Sequence, residues 1–243
     1  MEILSQFLLR LAFGLAVGMA ITSSQKVFSG FYRNHLYVVL GLTTLAALVL
    51  AHANLVAACL ASVGAALSFI GAAAWLYEAK RLGMRLIVAA AASSLIAAWL
   101  ALPNQNLWHS AALVTSGLVL GVVFASMLLG HWYLNAPGME LEPLRRLLVA
   151  AAAAIAAQML VVGAGLIAEL MSRTSVPLDW TLFIVLRWSF GLLGVLGLLW
   201  MAWQTLKIPN TQSATGILYV AVLGVFIGEL TGLLLSAESA FPL

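Results

Sequence analysis

Residues Trp180–Gln204 read WTLFIVLRWSFGLLGVLGLLWMAWQ. A bilayer crossing needs roughly 20 mainly apolar residues in a helix, and this stretch is long enough. One full charge, Arg187, lies about two turns inside it. An unpaired guanidinium in hydrocarbon costs on the order of 2.5–3.5 kcal/mol even on the lenient insertion scale, so Arg187 needs a partner or a wet cavity. Three other apolar stretches carry a charge that can answer it: Arg10, Glu169 and Glu229.

The rest of the chain has the same character. Of 243 residues, 64% are hydrophobic and 8% charged, against about 25% charged in an ordinary soluble domain. That composition is a polytopic membrane protein, since a soluble fold must still present a surface to water. The formal charge of +3 is spread over short loops, so nucleic acid is not an expected partner; the lipid bilayer is. The one cysteine, Cys59, lies within an apolar stretch and permits no intrachain disulfide. A segment opening on Glu2 without a basic leader reads as a span rather than a cleaved signal.

Eight stretches reach span length: Ile3–Ser23, Leu36–Ala53, Leu55–Tyr77, Met84–Leu102, Trp108–Leu134, Leu144–Met171, Trp180–Gln204 and Gly216–Ser236. All are too long and continuous for strands, so the expected fold is an all-α transmembrane bundle of eight spans forming one integral membrane domain. The prolines at 103, 137, 143, 177, 209 and 242 fall between or after the stretches, where proline belongs. The short His52–Ala53–Asn54 link predicts an antiparallel hairpin of spans two and three.

Basic residues set the expected orientation. Lys26, Arg33, Lys80, Arg81, Arg85, Arg145, Arg146 and Lys207 fall on one side, and Arg173 alone on the other. Both termini are therefore expected outside, periplasmic in a bacterial inner membrane. Trp108, Trp132 and Trp180 lie near span ends, where aromatic belts form.

Gly14–Leu15–Ala16–Val17–Gly18 in span one matches Gly117–Leu118–Val119–Leu120–Gly121 in span five, and Ser23 and Ser126 follow at equal distance. This pattern suggests two parallel four-helix halves, 1–104 and 105–243. The same small-xxx-small spacing recurs at Gly224, Gly228 and Gly232, which places span eight, and Glu229 with it, inside the bundle.

Four charges, Arg10, Glu169, Arg187 and Glu229, sum to zero and lie toward the outer ends of their spans. With Gln158 of span six they are the candidate ligand or proton site, Arg187 being expected to pair with Glu229 and to have Arg10 and Glu169 nearby. The histidines are secondary candidates: His35 and His52 bound the second span, and His109 and His131 the fifth. Facing pairs on two helices are what bis-histidine haem ligation requires. The separations disagree, about 25 Å against about 33 Å at helical rise, so no haem is expected, nor a metal or a covalently bound cofactor. No phosphate loop, dinucleotide fingerprint or zinc spacing is present. Catalysis on an aqueous side would need a partner subunit, because the loops are short.

Eight spans with outer termini, two four-helix halves and no redox-cofactor motif resemble the NrfD and DMSO-reductase-anchor type of quinol-interacting membrane subunits. The Leu-Gly-Arg-Pro turn of that family is not found; the nearest stretch is Arg81–Leu82–Gly83–Met84–Arg85. The resemblance implies a quinone as ligand, buried polar residues near one face as its site, and a redox partner subunit. A membrane scaffold or assembly protein, and a proton-coupled transporter of small solutes, are the alternative readings of the same charges.

Overall fold

The computed structural model describes residues 2–136, 138–173 and 176–243, and every regular element among them is helical. The helices are α1 (Glu2–Ile21), α2 (Ser29–Leu50), α3 (Leu55–Leu76), α4 (Lys80–Leu100), α5 (Leu107–Asn135), α6 (Glu142–Ser172), α7 (Leu178–Lys207) and α8 (Thr211–Ala237). Each is long and apolar enough to cross a membrane, so the chain is an all-α, multi-pass membrane bundle.

Local chemistry fixes the helix starts. Asn54, Asn106 and Asn210 cap α3, α5 and α8, their side-chain oxygens accepting from the N–H of Ala57 (3.0 Å), His109 (2.8 Å) and Ser213 (2.9 Å), which satisfies donors that a helix end leaves open. Asn54 also donates its amide to the Leu100 carbonyl at 2.9 Å, so the α2–α3 turn is fastened to the end of α4. Pro143 occupies the first turn of α6, where its missing N–H costs nothing. Pro137 lies outside the described residues.

Three helix starts precede the expected ones by four or more residues, α4 among them at Lys80 rather than Met84. Helix α2 begins at Ser29 rather than Leu36, because Phe31, Tyr32 and His35 share one buried face while Arg33 and Asn34 point outward. Helix α8 begins at Thr211 rather than Gly216, driven by the Asn210 cap. The aromatic belt is also narrower than expected. Trp108 is exposed, but Trp132 packs edge-on to Phe31 at 6.1 Å, and Trp180 is buried beneath the Arg173 guanidinium at 4.8 Å.

The eight helices pack as two rings of four. Helices α1–α2–α3–α4 close a ring by packing α4 on α1, and α5–α6–α7–α8 close one by packing α8 on α5. The rings meet along α1 and α5, the two most enclosed spans: 72% of their apolar windows is buried, against 28% for α7. Glycine makes this seam. A Cβ on Gly14 would strike the Gly117 carbonyl, one on Gly121 would strike the backbone at Gly14 and Leu15, and one on Gly18 would lie 2.6 Å from the Ala125 Cβ. Between helices in lipid there is no hydrophobic drive, so this close backbone approach supplies the association.

At the basic end, Lys26 bridges Glu140 (2.7 Å) and Glu142 (3.0 Å), tying the α1–α2 link to the α5–α6 link. Its hydrogen bonds to Glu140 and then Glu142 hold the ammonium above the usual lysine range. Large apolar side chains such as Leu160, Leu182 and Val185 cover the outside of the bundle, as a lipid-facing surface requires.

Candidate functional site

Span seven is not a uniform α-helix. From Arg187 to Gly194 its backbone widens into a π-helix, a feature that concentrates at functional sites. The wider backbone begins at the charge itself. The wide turns press Gly191 onto Gly228 of α8, where a Cβ would come within 2.5 Å of the Gly228 Cα. They bring Arg187 inward over Gly232, whose missing side chain provides the room the guanidinium occupies. The glycine series on α8 therefore does two things: Gly228 admits a backbone and Gly232 admits a charge.

Arg187 and Glu229 are 2% and 3% exposed and face each other, with Arg187 Nη2 3.7 Å from Glu229 Oε1. At that separation the pair is ionic contact rather than a good hydrogen bond. Ser116 of α5 donates its hydroxyl to the other carboxylate oxygen. The Nε of Arg187 is buried with no hydrogen-bond partner among the described residues.

Arg10 of α1 and Gln158 of α6 join this pair. Together with His109, Arg10, Gln158, Arg187 and Glu229 line a cavity of ≈30 Å³, which Gly232, Ser236 and Leu243 help to close. Arg10 Nε donates to Gln6 Oε1 at 3.3 Å, and Gln6 in turn donates to the Ala98 carbonyl at 2.9 Å, anchoring the arginine to α4. Thr115 donates to the Gln158 side-chain oxygen. A second recess of ≈240 Å³ shares Arg10, His109, Leu233 and Ser236 with the first and extends past Gln6 to Glu2 and Asn104 at the bundle end opposite the basic loops. The two form a funnel from an exposed rim to a buried floor.

Glu169 is not part of it. Its Oε1 receives Arg173 Nε at 2.7 Å, and its Oε2 accepts the backbone N–H groups of Ala240 (3.1 Å) and Phe241 (3.3 Å). Glu169 thus clamps the segment after α8 against the end of α6, and Gly165 lets the Pro242 carbonyl lie directly on that helix. The expectation that Glu169 lies beside Arg187 is corrected: Arg173, the residue that caps the end of α6, reaches it first. The funnel floor then holds two guanidiniums and one carboxylate rather than a neutral set.

The histidines separate. His35 is buried well inside α2 rather than at a span boundary, its Nδ1–H donating to the Phe31 carbonyl among Phe31 and Trp132. His131 meets the Tyr219 hydroxyl at 3.1 Å at the basic end, and His52 is exposed in the α2–α3 turn. Only His109 reaches the funnel, with Nδ1 2.8 Å from Asn106 Oδ1. Among the described residues no group of three or more His, Cys, Asp or Glu side chains is placed to hold a metal ion.

Sequence reading missed Gln6, Thr115 and Ser116, which hydrogen-bond to Arg10, Gln158 and Glu229 of the floor. Ser116 stands immediately before Gly117 of the seam, and a polar residue beside a close-packing glycine faces a neighbouring helix; that signal was available. The arrangement can hold a carbonyl or anionic group with arginine and amide donors, and can accept a proton at Glu229. Comparison of the chain with protein-family models, with curated proteins and with solved structures finds no match.

Proposed function

We propose that this chain is a quinone-binding membrane subunit of an electron-transfer assembly, lying in a bacterial inner membrane with the funnel open to the outside. The observation that carries this reading is the convergence of Gln6, Arg10 and His109 in a mixed apolar recess above a buried carboxylate. Ile3, Leu102 and Leu233 supply the apolar wall on which a ring can lie, and pockets of this kind are where small amphipathic ligands bind. A quinol held there by its hydroxyls gives up two protons and two electrons on oxidation. Glu229, backed by Ser116, is placed to receive one proton, the other leaves to water through the open mouth of the funnel, and both electrons pass to a redox partner docked on one face. The architecture-level resemblance to the NrfD and DMSO-reductase-anchor subunits agrees with this reading.

The purified protein is expected to carry extractable quinone, or to bind a short-chain quinol analogue with saturable quenching of tryptophan fluorescence. His109→Asn and Arg10→Gln should each weaken that binding by about tenfold or more, the scale of one hydrogen bond to a charged group. Neither extractable quinone nor saturable quenching would end this proposal.

Orientation is tested separately. In a Cys59→Ala background, a cysteine at Gln105 should react with an impermeant thiol reagent in intact cells and one at Gln212 should not; the reverse pattern would invert the topology. The π-helical stretch favours a second reading, a proton-coupled transporter, since transporters build their sites on irregular helices. Arg10 and Gln158 stand near the middle of α1 and α6, so depth does not separate the two readings; the quinone-binding assay does.

A further inference from the structure

We infer that the floor of the funnel is a binding site for one small monovalent anion, a halide ion or a single carboxylate group. Donors outnumber acceptors there. Glu229 is the one carboxylate of the floor: its Oε1 stands 3.7 Å from Arg187 Nη2 and its Oε2 accepts from Ser116. The Gln158 oxygen is taken by Thr115, so its amide N–H groups remain as donors without a protein acceptor among the described residues. Arg187 Nε has none either. Arg10 commits only its Nε, to Gln6, and the terminal N–H groups of its guanidinium have no acceptor among the described residues. Two five-donor guanidiniums therefore face a single carboxylate, which cannot match their N–H groups in number.

Charge gives the same answer independently. Arg10 and Arg187 against Glu229 leave the floor one positive charge in excess, because Glu169 is neutralised by Arg173 outside the cavity. Buried charge in a low-dielectric interior calls for a counter-charge. The ≈30 Å³ of the floor suits an occupant about the size of one water molecule. A carboxylate can reach it with the body of its molecule in the ≈240 Å³ recess. This inference uses no property of quinone, so it and the functional proposal can fail separately.

The test is the melting temperature of the detergent-purified protein at constant ionic strength, with chloride or formate replacing lactobionate, a sugar acid too bulky for the recess. Equilibrium dialysis with radioactive chloride accompanies it. A saturable rise in melting temperature with chloride alone identifies a free halide; a rise with formate as well identifies a carboxylate-binding site. Two neutralising variants give opposite signs. Glu229→Gln raises the floor to two excess charges and should tighten anion binding about tenfold, while Arg10→Gln removes the excess and should weaken it by about as much. A purely structural cluster would not shift the anion midpoint in opposite directions. If Arg10→Gln does not fold, Glu229→Gln still decides. Midpoints unmoved by Glu229→Gln, or no saturable effect of either anion on the wild type, would overturn the inference.

Discussion

Glu229→Ala is expected to be the most damaging single substitution at the funnel floor, costing about 3–5 kcal/mol of stability, the range for removing one partner of a buried ion pair. The reason is the count of charges rather than the loss of one contact. Removing Glu229 leaves Arg10 and Arg187 lining one ≈30 Å³ cavity with no carboxylate between them, and strands the Ser116 hydroxyl that it accepted. Arg187→Ala should cost less, because Glu229 then remains opposite Arg10 and the floor becomes neutral. The double substitution returns the floor to a single positive charge and should fall between the two. Thermal unfolding in chloride-free detergent solution gives the order directly, and a larger loss for Arg187→Ala than for Glu229→Ala would contradict it. The double variant also separates the functional readings. A scaffold needs the charges only for packing, so its assembly should survive; a quinone site should lose ligand binding although the protein still folds.

The fold was readable because bilayer crossing is a demand on length and composition, and both are explicit in a sequence. Boundaries were less readable where a helix carries polar residues past the apolar core. Arg33 and Asn34 looked like a loop, yet Phe31, Tyr32 and His35 beside them are spaced for one buried helical face. Asn210 before Thr211 was a capping signal overlooked in favour of the apolar run that follows. Depth of the intramembrane charges along the membrane normal could be counted from span ends, and depth alone brought Arg10, Arg187 and Glu229 to one level. Rotation about each helix axis could not be counted, and rotation decides partners. Glu169 reads as available when Arg173 is counted only as a loop charge, yet four residues is the spacing at which such a pair meets at a helix end. The π-helical turns at Arg187 leave no mark in composition, and the close approach of Gly191 to Gly228 that accompanies them is a fact of two helices rather than one.

Gly121→Ala is expected to split the α1–α5 seam on which both helix rings and the site depend. A Cβ at that position overlaps the backbone of Gly14 and Leu15, and backbone within a packed helix cannot step aside as a flexible side chain can. The loss should therefore exceed the ~1–3 kcal/mol typical of overpacking a core. Helix α1 would be displaced along the length that carries Gln6 and Arg10, so ligand and anion binding should weaken in whatever fraction still folds. Gly41→Ala and Gly197→Ala serve as controls: both lie in helices, and a Cβ at either meets nothing within 4 Å. There the helix propensity of alanine over glycine acts alone, and stability should hold or rise by up to about 1 kcal/mol. Melting temperatures of the three variants, with size-exclusion profiles to score folding, give the comparison. A Gly121→Ala protein as stable as the two controls would mean that α1 and α5 do not meet through these glycines.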